Sequence, residues 1–234
     1  MHGTGGPVPS CILYLWLGEP AGLRRGHAER NLAPGGAPAD LRYRNAVTMN
    51  ALLKLAEALR RLLEWIALAS GWLLVVMACV TTFDVVARKF GMQLPFTKLQ
   101  ELEWHFHAVI FSMWMGYCYT INAHPRVDSF LEGKSYRARA WVELFGCLLL
   151  ALPYVTLVAY FSLDYVASSY ALNEQSDSTV GLTHRWVIKG IFALGLWLVV
   201  LGILSVLLRV IVFLFGQKSN EEVNLQIGHV EADV

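Results

Sequence analysis

The chain has 234 residues, of which 56% are hydrophobic, and its mean hydropathy is +0.46. This balance is typical of a membrane protein and excludes an ordinary soluble globular domain. The net charge of +1 is accompanied by no basic stripe, which argues against a protein that binds nucleic acid.

Residues 1–48 differ in composition from the rest of the chain. They are rich in Gly, Pro, Ala and Arg and have no helical period. The apolar run at residues 12–17 is too short to span a membrane and has no basic residues before it, so a secretory signal is not predicted. We expect a disordered or wrongly assigned extension, with Met49 as the natural start, because an amphipathic pattern begins directly behind Met49.

Residues 51–64 alternate leucines with charged side chains at helical spacing. They predict an amphipathic lead-in helix that lies on the inner membrane surface before the first span. Four stretches without Asp, Glu, Lys or Arg follow, at residues 65–83, 104–125, 144–163 and 190–208. Each has the roughly 20 residues that a helix needs to cross the hydrocarbon core. The sequence therefore predicts an all-α integral membrane protein with four transmembrane helices, in a membrane domain of residues 49–216.

The ends of these spans carry recognisable helix signals. Asp84 and Arg88 close the first span at a spacing that allows them to pair on one helix face. Residues 97–100 fit a capping box that opens the second span. Pro153 lies within the third span, where it predicts a kink.

The distribution of Lys and Arg predicts the topology. Nine of them flank the spans on the side of the N-terminus, the second loop and the C-terminus, whereas five lie on the other side. The positive-inside rule then puts both termini in the cytoplasm. Residues 217–234 are polar and acidic, and we expect them to form a disordered cytoplasmic tail.

The second span begins with several residues that favour polar contacts. Glu101, Trp104 and His105 share one helix face. One interpretation is a charged helix entrance anchored by Trp104, whose histidines bond to carboxylates; another is a docking face for a second membrane subunit. A haem held between His105 or His107 and His184 is a third, although these histidines lie at span ends.

The loop after the second span contains His124, Arg126 and Asp128. Its basic residues fit a turn that anchors the hairpin to the membrane surface. Alternatively, Arg126 and Asp128 hold a fixed turn against a partner protein.

The sequence lacks the features that catalysis or autonomous transport would need. No ionisable residue lies in the middle of a span, and no internal repeat is present, so we expect the chain to move nothing by itself. No activated nucleophile, phosphate loop or zinc motif is recognisable. We therefore predict no enzyme activity and no catalytic, substrate-binding, metal or cofactor site.

Five segments, taken in order over residues 50–216, resemble one known family. They are Phe-Asp-Val-Val-Ala-Arg at 83–88, Leu-Gln-Glu-Leu-Glu-Trp-His at 99–105, Ala-His-Pro-Arg-Val-Asp at 123–128, Arg-Ala-Arg-Ala-Trp at 137–141 and Arg-Trp-Val-Ile-Lys at 185–189. In their order and spacing they resemble the small membrane subunit of tripartite ATP-independent periplasmic (TRAP) transporters.

The resemblance implies a fixed scaffold subunit in the bacterial inner membrane. Its partners would be a large elevator-type membrane subunit and a periplasmic binding protein, which together take up an organic acid or related small solute with a sodium gradient. The family's transport sites lie in the large subunit. The candidate interface or structural residues here are Asp84, Arg88, Glu101, Trp104, His105, His124, Arg126, Asp128 and Arg185. A four-helix membrane cytochrome or quinone-linked electron-transfer subunit, and a small autonomous carrier, stay open as alternatives.

Overall fold

The computed structural model describes residues 39–123, 131, 133–178, 180–216 and 218–225, with side chains from Tyr43 onward. These residues form helices α1 Ala39–Lys89, α2 Phe96–Thr120, α3 Tyr136–Phe145, α4 Leu152–Ala171, α5 Trp186–Phe215 and α6 Asn220–Val223, and a π-helical turn, Gly146–Ala151, joins α3 to α4. No strand occurs within the described ranges, and the predicted all-α class is confirmed.

Three helical stretches are long and apolar enough to cross a membrane. They are Tyr43–Lys89, Tyr136–Ala171 and Trp186–Phe215. Helix α2, which covers most of the predicted second span, is not among them. The structure thus supports three of the four predicted spans on length and composition.

Helix α1 is a single element of 51 residues. At about 1.5 Å per residue it is about 75 Å long, more than twice the thickness of a hydrocarbon core. No break separates the predicted lead-in helix from the first span, and the helix begins at Ala39, upstream of Met49. The lead-in is therefore a continuation of the first apolar helix, with no turn between them.

Helix α2 contains 25 residues, long enough to span a membrane. It packs against both α1 and α5. From Glu101 to its end, only Trp104, His107 and Phe111 are exposed, and their spacing makes one narrow stripe. Because its neighbours cover the rest of its surface, α2 tolerates tyrosines, histidines and glutamates that make it less apolar than the other helices.

The predicted capping box at the start of α2 is wrong. The helix begins at Phe96, and no side chain caps its first turn. Thr97 is already helical and cannot act as the cap. Pro95 occupies the position before the helix, where its lack of an N–H costs little.

Where the sequence predicted a kink at Pro153, the structure has a π-helical turn, Gly146–Ala151, just ahead of the proline. Proline has no N–H to donate, and its ring crowds the carbonyl of the residue four positions earlier. A π-helical turn widens the backbone ahead of Pro153, which removes this conflict without interrupting the helix.

Helix α5 is the centre of the bundle. In its most apolar stretch of 18 residues, two thirds (67%) of the residues are buried. The corresponding share is 11% in α1 and 11% in the α3–α4 stretch. It lies very close to α2: a Cβ on Gly202 would be 2.5 Å from the carbonyl oxygen of Gly116, and one on Gly195 would be 2.5 Å from the Cβ of Ser112. Small residues allow the two backbones to make this contact, which larger side chains would prevent.

The segment after α5 folds back onto the bundle. Val223 and Leu225 are 1% and 6% exposed and join a core cluster with Ala140, Leu144 and Val210. The expected disorder of the tail is therefore wrong for residues 218–225. Val223 and Leu225 lie among polar residues, and their burial holds this short segment against the bundle.

Candidate functional site

The polar side chains of the bundle concentrate in two layers. The first, which we name the Glu101 end, comprises the last turn of α1, the first turns of α2 and α5, and the loop at residues 172–185. The second, the Arg209 end, comprises residues 50–64 of α1, the start of α3, the last turns of α5 and residues 218–225. On α5, Lys189 and Arg209 lie about 20 residues apart, or about 30 Å, which is the thickness of a hydrocarbon core.

At the Glu101 end, Asp84 and Arg88 make the predicted ion pair. The Arg88 Nη2 lies 2.8 Å from the Asp84 Oδ2, and Asp84 is only 5% exposed. The Arg88 guanidinium also lies over the ring of Phe96, 4.8 Å from its centroid. Arg88 thus neutralises a buried carboxylate and, through its cation–π contact, links the end of α1 to the start of α2.

Glu101 connects α2 to the loop between α4 and α5. Its carboxylate accepts hydrogen bonds from the backbone N–H of Leu182 and from the hydroxyl of Ser176. These bonds favour the charged form, so the Leu182 N–H first and the Ser176 hydroxyl second lower the pKa of Glu101, which precedes the predicted span. A Cβ on Gly181 would lie 2.7 Å from the Glu101 Oε1, so glycine is needed for the loop to wrap this carboxylate.

Trp104 and His105 do not join Glu101 in one cluster. Trp104 is 75% exposed. The His105 Nδ1 donates to the backbone carbonyl of Glu101 at 2.5 Å, so the predicted histidine–carboxylate bond is wrong for His105. Of the other two candidate haem ligands, His107 is exposed, and His184 is exposed and contacts the hydroxyl of Thr183 at 2.7 Å. Neither the His105 contact nor the His184 contact joins two of these histidines.

Lys189 and Arg185 complete the Glu101 end. The Lys189 ammonium bonds to the carboxylate of Glu174 and lies 3.9 Å from the ring centroid of Tyr165. The hydrogen bond from Lys189 lowers the pKa of Glu174. The Arg185 Nη1 is 3.5 Å from Asp177, but the Asp177 side chain is 98% exposed, so this pair contributes little to stability.

Three of the candidate residues, His124, Arg126 and Asp128, lie outside the described residues. The structure therefore leaves both interpretations of this loop as they stand. Across the described ranges, no group of three or more His, Cys, Asp or Glu side chains is placed to hold a metal ion.

The Arg209 end contains an ion cluster around a buried arginine, which no local sequence pattern predicts. Arg209 is 2% exposed. Its Nη2 donates to the Glu57 Oε2 at 2.9 Å, and its Nη1 donates to the backbone carbonyl of Asn224 at 2.7 Å. Glu57 also accepts hydrogen bonds from Arg60 and Arg61. These partners replace part of the hydration that the buried guanidinium loses, while its Nε has no hydrogen-bond partner among the described residues.

Further hydrogen bonds tie the same end together. The Ser205 hydroxyl donates to the carbonyl of Ala56 at 2.9 Å, which joins α5 to α1. The Tyr136 hydroxyl donates to the carbonyl of Leu225, which joins α3 to the final segment. The one sequence signal for this cluster was the position of Arg209, a cation with apolar residues on both sides.

The fold and the two polar layers define a multi-pass membrane protein with a polar layer at each end and an apolar bundle between them. A family profile described as "Tripartite ATP-independent periplasmic transporters, DctQ component" matches residues 77–213, more than half of the chain. The chain belongs to this family and is the small membrane component of a TRAP transporter. A search of curated proteins and a search of solved structures each gave no match.

The family match confirms the resemblance found in the sequence. It identifies a transporter component and not an enzyme family. The matched region includes the Glu101 end and Arg209, but Glu57 and Asn224, the two partners of Arg209, lie outside it.

Proposed function

We propose that this chain is the static scaffold subunit of its transporter. It pairs with a large elevator-type membrane subunit and a periplasmic binding protein, in the bacterial inner membrane, for sodium-driven uptake of an organic acid or related small solute. The observation that carries the proposal is the uneven burial of the apolar helices. In the most apolar stretch of α5, 67% of the residues are buried, but only 11% are buried in the corresponding stretches of α1 and α3–α4. Such wide exposed apolar faces suit a subunit that is flanked by lipid and by a larger membrane protein.

In this proposal α2 supplies the second of four spans. Its 25 residues are about 37 Å long, more than the hydrocarbon core of about 30 Å, so its first turns, up to Glu101, lie outside the core, and α1 and α5 cover most of its surface. An even number of spans puts both ends of the chain on one side of the membrane. The nine basic residues on that side against five on the other support a cytoplasmic location for both termini.

With this topology the Glu101 end faces the periplasm. Arg88 and Arg185 are then available to the binding protein, since their side chains are 40% and 37% exposed. Glu101 holds the loop that precedes Arg185 and so acts as a positioning residue. Asp84 is buried beneath Arg88 and orients it.

Purification of the tagged chain from native membranes in mild detergent tests the pairing. We expect a large membrane subunit to come with it in stoichiometric amount, as identified by mass spectrometry. Recovery of the chain alone, under conditions that keep membrane complexes intact, would contradict the scaffold proposal.

Charge reversal tests the contact with the binding protein. We expect Arg185→Glu to reduce substrate uptake at least about tenfold, since like charges placed at an interface cost several kcal/mol. Lys134→Glu, an exposed position outside the Glu101 end, is the matched control and should leave uptake intact. Equal uptake by both variants would remove Arg185 from the contact.

The electron-transfer alternative gains no support from the described contacts, since the His105 and His184 rings each contact a near neighbour in the chain and His107 is exposed. An absorption spectrum of the purified chain, with a Soret band as the decisive signal, would revive it.

A further inference from the structure

A groove runs along α1 at the Arg209 end, with a volume of about 520 Å³. It is lined by Asn50, Leu53, Lys54, Glu57, Ala58 and Arg61. These residues recur every three or four positions, so they form one face of the helix. The groove lies before residue 77, outside the region that matches the family.

The groove carries excess positive charge. Lys54 is exposed, and the Arg61 side chain is 68% exposed. The one carboxylate in its lining, Glu57, accepts hydrogen bonds from Arg60, Arg61 and Arg209. Because three guanidinium groups surround this carboxylate, and Glu64 offsets only Arg60, the rim attracts a further anion.

The same helix face continues as an apolar surface. Trp65 lies one turn beyond Arg61 and is 72% exposed, and Trp72 and Val76 follow at 69% and 45%. The order along the helix is basic, then aromatic, then aliphatic. This is the order of phosphate, interface and acyl chain along a helix that enters a bilayer.

We propose that this groove binds an anionic phospholipid, whose phosphate lies between Lys54 and Arg61 and whose acyl chain follows Trp65 and Trp72. The proposal goes beyond the scaffold function and does not depend on it, since it requires only that the Arg209 end lies at a membrane boundary. A large-subunit helix on this face would have to bring acidic side chains to the same two cations. The continuous passage from basic to apolar residues favours a lipid.

The test uses the purified full-length chain in mild detergent, with phosphatidylglycerol or zwitterionic phosphatidylcholine added. Lipid retention is measured by native mass spectrometry, and the thermal unfolding midpoint is measured with each lipid. We expect a preference for phosphatidylglycerol of about 10- to 30-fold, the effect of two basic residues near an anionic headgroup. We also expect Lys54→Gln/Arg61→Gln to abolish the preference, whereas the control Lys98→Gln/Lys134→Gln, at exposed lysines outside the groove, retains it.

The single variant Lys54→Gln separates a loss of lipid binding from a loss of folding. Arg61 also bonds to Glu57, so its replacement can disturb the fold, whereas Lys54 lines the rim of the groove. It should lower the preference several-fold. An unchanged preference in both variants would overturn the proposal, as would equal stabilisation by free glycerol phosphate, which would indicate a soluble anion. Loss of the large subunit from the Lys54→Gln complex, with lipid preference intact, would assign the groove to a protein contact instead. Failure of the lipid test leaves the co-purification test of the scaffold function unaffected.

Discussion

The two ends of the bundle use charge in opposite ways. At the Glu101 end the side chains of Arg185 and Asp177 are 37% and 98% exposed, and the loop is held by bonds to one carboxylate. At the Arg209 end a guanidinium that is 2% exposed joins α1, α5 and the final segment. Exposed pairs contribute little to stability, whereas a buried charge that loses its partner is costly. The buried Arg209 therefore contributes more to stability than the exposed Arg185–Asp177 pair does, and we propose that the exposed charges of the Glu101 end meet a partner.

The largest effect that would test this difference comes from the final segment. A chain that stops after Gly216 loses the burial of Val223 and Leu225 and the carbonyl that accepts from Arg209. We expect the free energy of unfolding in detergent to fall by about 3–6 kcal/mol. A chain that stops after Leu225 is the matched control and should keep wild-type stability. If both truncations behave alike, the Arg209 end does not depend on this segment.

The next effect comes from the Glu57–Arg209 ion pair, in which the Arg209 side chain is 3% exposed and the Glu57 side chain 30%. Glu57→Gln leaves the Arg209 charge buried without its counterion, and we expect a loss of about 3 kcal/mol. Glu64→Gln removes only a pair with Arg60 at 3.3 Å and should cost less than about 1 kcal/mol.

Chemical denaturation of the purified variants measures both losses. The double variant Glu57→Leu/Arg209→Met removes both charges together and should recover most of the lost stability. An equal cost for Glu57→Gln and Glu64→Gln would show that Arg209 does not need Glu57.

A smaller effect is expected where α2 and α5 cross, between the two ends. Gly202→Ala places a methyl group 2.5 Å from the carbonyl oxygen of Gly116, so the helices must separate, at a cost of about 1–3 kcal/mol. Gly146→Ala is the control, because a Cβ there meets nothing within 4 Å. Thermal unfolding should separate the two variants. A Gly202→Ala protein as stable as Gly146→Ala would mean that the crossing is looser than the structure shows.

The smallest effect is local and depends on pH. The pKa of Glu101 is lowered from its ordinary value of 4.5, so its bonds stabilise the loop above that pH and are lost as the pH falls through the lowered value. We expect the loop to become mobile only below about pH 4.5, as measured by the anisotropy of a probe at Asp177→Cys. Glu101→Gln should make the loop mobile at neutral pH, with little change in global stability.

Glu221→Gln, an exposed carboxylate at the Arg209 end, is the control for this experiment and should leave the pH profile unchanged. A pH profile for Glu101→Gln that matches the wild-type profile would show that another group orders the loop.

Local features of the fold were predictable because their causes are close in sequence. The Asp84–Arg88 pair follows from four-residue spacing on a helix, and the missing N–H of Pro153 accounts for the π-helical turn ahead of it, although the sequence predicted a kink there. The capping-box prediction was wrong because the helix begins at Phe96, so that Thr97 lies inside its first turn and not before it. The histidine–carboxylate bond expected for His105 does not form with Glu101, because the Glu101 carboxylate is engaged by a loop about 80 residues away.

The sequence by itself determined the all-α membrane class, three of the apolar helices and the family, because hydrophobic length and helical spacing act over short segments. Only the tertiary structure decided which helix is central, how α2 is covered, and that Arg209 is buried. Glu57 and Arg209 are 152 positions apart, so no local pattern relates them. Their pairing arises because α1 and α5 pack together at Ala56 and Ser205 and the folded-back final segment supplies the carbonyl of Asn224, so that Arg209 is almost wholly removed from water.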